Sequence, residues 1–285
     1  MDYRNCTLCP RECGVDRTAG ETGFCGCGDT ALAAKTMLNK WEEPVLAGSG
    51  GSGAIFFGGC TLGCVYCQNR AISACPTGKP VDSRELRTEM ENLIAQGAEN
   101  IDLVTPTQFL PTILPALEKP LPVPVVYNCG GYEKPETLES LRGKVDIFLP
   151  DMKYGYDALA QQLSSAPDYV NTALTALKKM HELVGDPQWE GEKLKRGVIV
   201  RHLILPGHTD NSLQVLDLLS EVFKPGQILV SLMRQYTPIS GMVAPLDRPL
   251  TDEEFQGVLS WMYLCGFQGF TQEKEAADTA FIPDF

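Results

Sequence analysis

The chain has 285 residues, 44% of them hydrophobic, which is enough for one sizeable core and one main domain with an appendage. A net charge of −12 argues against a broad basic surface, and with it against nucleic acid as a partner. No run approaches the roughly 20 apolar residues of a membrane span, and Met1–Cys6 has no apolar leader core, so no membrane partner and a cytoplasmic location are expected.

In that compartment the 11 cysteines read as metal ligands rather than disulfides. The first group is Cys6-x2-Cys9-x3-Cys13-x11-Cys25, interleaved with Pro10, Gly14, Gly20 and Gly23, which allow tight turns round a metal. Four soft ligands so close together suit tetrahedral zinc or iron, or an auxiliary iron–sulfur cluster. Cys27 is either a spare thiol or an alternative fourth ligand. Residues 1–47 are read as a small N-terminal cysteine-rich metal-binding module, and residues 48–285 as the main domain.

Residues 54–58 form a short apolar strand that runs into Cys60-Thr-Leu-Gly-Cys64-Val-Tyr-Cys67. Three thiolates at this spacing can hold three corners of a [4Fe–4S] cluster. Closed clusters draw four cysteines, so three imply an iron left open for a small molecule. A structural zinc knuckle is the competing reading of the same residues.

Further along, Asp82-x-x-Glu85 opens a helix near 83–97, with Leu86, Met90, Leu93 and Ile94 on one face. A second strand follows at 101–104, then a short helix punctuated by Pro111 and Pro115. Strands three and four lie at 123–127 and 145–149, with Pro135 opening the helix between them. A long helix at about 167–184 stops at Gly185. Strand five covers 197–205, an amphipathic helix carries Leu213, Leu216, Leu219 and Phe223, and strand six covers 228–233. Thr251-x-x-Glu254 opens the last helix, which ends at Gly266. Strands alternating with helices imply parallel βα units. Six are too few for an eight-stranded barrel, so an α/β fold with a partial (β/α)6 TIM-like barrel is expected. A doubly wound sheet is the alternative, but no G-x-G-x-x-G follows the first strand.

In such folds chemistry gathers at the C-terminal ends of the strands. These ends carry Thr105-Pro106-Thr107, Asn128, Asp151-Met-Lys153, Arg201 and Arg234-Gln-Tyr236. Asn128 both donates and accepts, which suits a ribose or a carboxylate. Arg201 shares a face with Leu203 and Leu205, and an arginine facing a barrel interior demands an anion such as Asp151 or a ligand carboxylate. His181, His202 and His208 show no ligand spacing.

The cysteine loop, with Tyr66 before its last cysteine and Gln68-Asn69 after it, resembles the radical S-adenosylmethionine superfamily. Cys67-Gln-Asn resembles the variant found in glycyl-radical-enzyme activases. The N-terminal cysteine pattern, Trp41-Glu42-Glu43-Pro44 and Gly51-Ser52-Gly53 resemble an uncharacterised iron–sulfur family related to the pyruvate formate-lyase activating enzyme. The resemblance implies a [4Fe–4S] cluster on Cys60, Cys64 and Cys67, with S-adenosylmethionine chelated at the open iron. It implies reductive cleavage to a 5′-deoxyadenosyl radical, hydrogen abstraction from a substrate, and an electron donor such as flavodoxin or ferredoxin. Cofactor contacts are then expected from Tyr66, Thr105, Thr107, Asn128, Asp151, Lys153, Arg201 and Tyr236, with Lys153 meeting the methionyl carboxylate. Two departures stand out. Thr105-Pro-Thr107 replaces the superfamily's Gly-Gly-Glu stretch, and Thr237 replaces an expected histidine. The activase likeness favours a protein or peptide substrate. A small metabolite, or electron transfer without radical chemistry, are the alternatives.

Overall fold

A computed structural model describes residues 2–271. The segment up to Asp29 is mostly turns, after which the chain enters β1 (Ala31–Asn39). A short helix, α1 (Pro44–Ala47), leads to β2 (Ser52–Phe57), the expected first strand. The cysteine loop, α2 (Arg70–Ser73) and β3 (Lys79–Val81) come next. Then α3 (Ser83–Ala95), β4 (Ile101–Val104), α4 (Leu110–Ala116), β5 (Val125–Cys129), α5 (Pro135–Glu139) and β6 (Ile147–Pro150) alternate. They are followed by α6 (Asp157–Ser164), α7 (Tyr169–Val184), β7 (Gln188–Glu190), β8 (Lys193–Leu203), α8 (Thr209–Val222), β9 (Leu229–Met233), α9 (Asp252–Leu264) and β10 (Gly269–Thr271).

The fold is mixed α/β, with a largely parallel sheet alternating with helices. Strand order is β10-β9-β8-β6-β5-β4-β2-β1-β3, and β7 pairs with β8 off this path. The six expected strands, β2, β4, β5, β6, β8 and β9, lie side by side and parallel. Three more flank them. β10 adds in parallel to β9, while β1 and β3 are antiparallel at the other edge. β1 lies within the first 47 residues, yet it pairs with β2 over Ala33–Asn39. The cysteine-rich segment therefore leads directly into the sheet.

Both predicted capping boxes form. The Asp82 side chain accepts from the backbone N–H of Arg84 and Glu85, and Glu85 reaches back to the Asp82 N–H. Thr251 and Glu254 do the same for α9. Each satisfies orphan donors of a first helical turn, worth about 1 kcal/mol.

Alternation along the strands divides the core. Ile55, Phe57, Leu103, Tyr127, Phe148, Val200 and Leu232 face the helices. On the opposite face, Val126, Ile147, Leu149, Ile199 and Leu229 pack on Leu46 and Val45 of α1. The connection from β1 to β2 thus runs across the inner face of the sheet. Leu46 is buried there, and burying a leucine contributes about 1.5–3 kcal/mol. Periodicity gives no warning of this, because a four-residue helix is too short to show a repeat.

Candidate active site

The cysteine loop begins where β2 ends. Gly59 has φ of 77°, and a Cβ there would overlap Cys27 Sγ, so only glycine makes the turn. Arg11 then clasps the loop from outside. Its Nε donates to Thr61 O at 2.9 Å and its Nη2 to Ser164 O at 3.1 Å, with Leu62 O and Ser165 O also in reach. The guanidinium lies 3.7 Å from the Phe24 ring centroid.

All three loop thiols are half-buried. Leu62 N–H points to Cys60 Sγ at 3.4 Å, Ser73 Oγ to Cys67 Sγ at 3.4 Å and Ser164 Oγ to Cys64 Sγ at 2.9 Å. Behind Ser164, Tyr154 OH lies at 2.5 Å, and Tyr66 OH lies 2.9 Å from Tyr154 OH. Burial, and secondarily the Cys64 charge, push the Cys60 thiol up to about 12. Cys64 also rises, chiefly through burial. Without a metal Cys60 and Cys64 hold their protons, so loading a cluster releases them.

A cavity of about 900 Å³ opens beside the loop. Cys64, Tyr66, Cys67, Gln68 and Asn69 line one side; Asn128, Asp151, Lys153, Arg201, Leu203, Met233 and Gln235 line the strand ends. Lys153 Nζ donates to Asp151 Oδ2 at 2.6 Å, and Arg201 Nε donates to Asp151 Oδ1 at 3.2 Å. Arg201 also donates to Asn128 Oδ1. Burial works against the Asp151 charge, but Lys153 and Arg201 outweigh it and lower its pKa. Burial works against Lys153 too, and Asp151 outweighs it, so the ammonium is held well above its usual pKa.

The expected residues therefore divide. Cys64, Tyr66, Cys67, Asn128, Asp151, Lys153 and Arg201 meet in one cavity, with Cys60 at the base of the loop. Thr105, Thr107 and Tyr236 do not line it. Thr105 is in the left-handed region at φ 58°, and its carbonyl accepts from Gln108 Nε2 at 2.8 Å. Thr107 turns to the helix side and donates to Glu133 Oε1 at 2.8 Å, a buried carboxyl pushed up to about 8 by desolvation. Tyr236 donates to Leu246 O at 2.7 Å and packs 6.3 Å from the Tyr66 ring. His202 is also structural. Its Nδ1 donates to Met152 O at 2.6 Å and its Nε2 accepts from Ser212 Oγ at 2.8 Å, while burial lowers its pKa to about 4.

Sequence reasoning missed the inner wall of this cavity. Glu42 and Glu43, on the β1–α1 connection, line it together with Trp41. Glu42 Oε1 lies 3.5 Å from Arg201 Nη1. Asp102 of β4 is fully buried, accepts from Asn128 Nδ2 at 3.3 Å and finds no donor for Oδ1. Desolvation and then the Glu42 charge raise its pKa well above the usual carboxylate value, so Asp102 holds its proton. Burial, then Glu42, push Glu43 up to about 7. The available signal is two adjacent carboxylates directly before the apolar run Pro44-Val-Leu-Ala.

Cys6, Cys9, Cys13 and Cys25 line one small void of about 10 Å³, beside Arg17 and Thr61. Cys27 is buried, its thiol pointing to Gly58 O at 3.5 Å. Among the described residues no three His, Cys, Asp or Glu side chains are gathered tightly enough to hold a metal ion as they stand. That applies to both cysteine groups. The loop nevertheless fits a cluster by its donor chemistry: three thiols on one turn, donors aimed at their sulfurs, and a cationic side chain across the cavity for an anionic ligand group.

The family model described as the radical SAM superfamily matches residues 54–219, more than half of the chain. The chain belongs to the radical SAM superfamily. As a radical SAM enzyme it is implied to carry a [4Fe–4S] cluster and to bind S-adenosylmethionine. Over 269 residues it is 30% identical to an uncharacterized protein, MJ0674, of Methanocaldococcus jannaschii, covering 90% of this chain and 74% of that one. A radical SAM methyltransferase from Sphaerobacter thermophilus matches with a TM-score of 0.53 and 15% identity, over 77% of this chain and 66% of the other. SuiB from Streptococcus suis, solved with S-adenosylmethionine, also gives 0.53, at 13% identity, over 75% of this chain but only 48% of its own. These two likenesses show the fold alone. Among the described residues no helix is long and apolar enough to cross a membrane.

Proposed function

We propose that this enzyme binds S-adenosylmethionine between the Cys60/Cys64/Cys67 loop and the strand ends of a partial (β/α)6 barrel, and abstracts hydrogen from a second molecule. The observation that carries this is the shared cavity, in which two loop cysteines face the Lys153–Asp151–Arg201 network. Its volume of about 900 Å³ is near the top of the roughly 300–1,000 Å³ range of small-molecule sites. That leaves room beside the cofactor. When bound, the cluster supplies the electron that splits S-adenosylmethionine to methionine and a 5′-deoxyadenosyl radical. Lys153 meets the methionyl carboxylate, held in place by Asp151. Asn128 presents an amide to the ribose, and Tyr66 walls the cavity on the cysteine side. A flavodoxin- or ferredoxin-type donor reduces the cluster.

The activase-like motifs support a hydrogen donor within a polypeptide. A second reading, a peptide side chain or small metabolite, is favoured by the charged inner wall of Glu42 and Glu43, which has no counterpart in the needs of a bare glycine. The four N-terminal cysteines, which line one void, are proposed as the ligands of a second metal, zinc or iron or an auxiliary cluster, that fixes residues 1–47 as a module beside the loop. Anaerobically reconstituted protein, reduced with dithionite, tests the main reading. Formation of 5′-deoxyadenosine that is abolished by Cys64→Ala supports it, and none from fully loaded wild type refutes it.

A further inference from the structure

The carboxyl of Glu43 lines the inner wall with no role in the cofactor site described above. It sits at the N-terminal boundary of α1, where an acidic side chain often caps, but it makes no capping hydrogen bond. Among the described residues it has no ion pair, although only 7% of its surface is exposed. The charges facing it already have partners. Arg201, on β8, is held by Asp151, Glu42 and Asn128. Asp151, at the end of β6, is held by Lys153 at 2.6 Å. Glu42 leans on Arg201. On β9, opposite Arg201 in the register, Ser231 points the same way. Its hydroxyl is wholly buried and close enough to Glu43 to ease the carboxylate charge, yet it forms no hydrogen bond of proper geometry.

A buried carboxyl without an ionic partner is costly, and so is a buried hydroxyl without a hydrogen bond. Here Glu43 lies on the wall of the cavity, and Ser231 is buried close behind it. Resting on the radical reading above, we propose that Glu43, backed by Ser231, receives a positively charged nitrogen of the substrate, an ammonium or guanidinium. The substrate is then a basic side chain or a small amine, held by its charge at the inner wall while its carbon skeleton extends toward the cysteine loop. Glu43 selects and positions the substrate, and touches neither cluster nor cofactor.

The test uses cluster-reconstituted protein and two probes of one shape, n-butylammonium and n-butanol, titrated by ligand-observed NMR at pH 8. Wild type is expected to bind n-butylammonium at least about tenfold more tightly, the scale of one charge-assisted hydrogen bond. Glu43→Gln, checked for folding by its melting temperature, is expected to lose that preference, and Ser231→Ala to reduce it. Equal affinities for the two probes in wild type, or a preference undiminished in Glu43→Gln, overturn the proposal. The affinity of wild type for S-adenosylmethionine, measured separately, reads the radical assignment. Cofactor binding without ammonium preference defeats this inference alone, and ammonium preference without cofactor binding defeats the radical reading alone.

Discussion

Ser164 Oγ lies 2.9 Å from Cys64 Sγ, joining the last turn of α6 to the cysteine loop across 100 positions of sequence. Since Ser164 donates to sulfur, Tyr154 must donate to Ser164 and Tyr66 to Tyr154, which orients the whole chain of hydroxyls. Hydrogen bonds to cluster sulfurs favour the more negative, reduced state and raise its potential. Ser164→Ala is therefore expected to make the cluster harder to reduce. A differential of about 1 kcal/mol corresponds to roughly 40 mV for one electron. A redox titration followed by electron paramagnetic resonance checks it, and an unchanged potential removes the hydroxyl chain from any tuning role.

Lys153→Ala is expected to weaken S-adenosylmethionine binding by about ten- to a hundredfold, the scale of a charge-assisted contact to a carboxylate. Iron content should stay intact, because Lys153 is bonded to Asp151 and not to a loop thiol. Equal affinity in mutant and wild type would place the lysine outside the cofactor site.

Arg11→Ala removes a clasp on four carbonyls, two in the cysteine loop and two at the end of α6. Loss of such bonds costs about 1–3 kcal/mol locally. The variant should fold, yet lose iron to a chelator faster than wild type. Identical release rates would show that the loop is held by other contacts.

The N-terminal cysteines make a separable prediction. A Cys60/Cys64/Cys67 triple alanine variant should retain about one equivalent of zinc or iron, or about four irons if the second site is a cluster. Metal-free variant protein would remove the second site.

His202 predicts a pH dependence of stability. Its folded pKa is about 4, below the unfolded value near 6.5. The unfolded chain therefore binds the extra proton first. The contribution is fully present above about pH 6.5 and is lost as pH falls toward 4, up to about 3 kcal/mol in all. Urea unfolding from pH 7.5 to 4.5 should show a shallower decline for His202→Gln than for wild type. Parallel curves would mean that the imidazole charges without penalty.

Much of this architecture is legible in the amino-acid sequence. The six parallel strands, both capping boxes and the meeting of Asn128, Asp151, Lys153 and Arg201 follow from apolar runs, spacing and strand alternation, which are local signals. What is not legible depends on contacts between distant segments. β1 reads as weakly apolar and holds its place by pairing with β2 and β3. α1 is fixed by the inner face that it covers, not by its own periodicity. Thr107 sits at a strand end, as expected of a cofactor contact, but a buried Glu133 draws its hydroxyl to the far side. Glu42 and Glu43 look like surface acids because nothing local tells that the chain turns inward there.

The passage of the β1–α1 connection beneath the sheet bears on where this polypeptide can be cut. A chain begun at residue 48 would keep every strand that carries the cofactor residues, yet it would not be a smaller working enzyme. Without β1, all six buried residues of β2 would lie on an unprotected edge, its amides and carbonyls free to pair with another molecule. Without Leu46, the side chains of Val126, Ile147, Leu149, Ile199 and Leu229 would meet water. Truncation at that point should give aggregates rather than a catalytic fragment, so the stretch ahead of the cysteine loop is as much foundation as attachment.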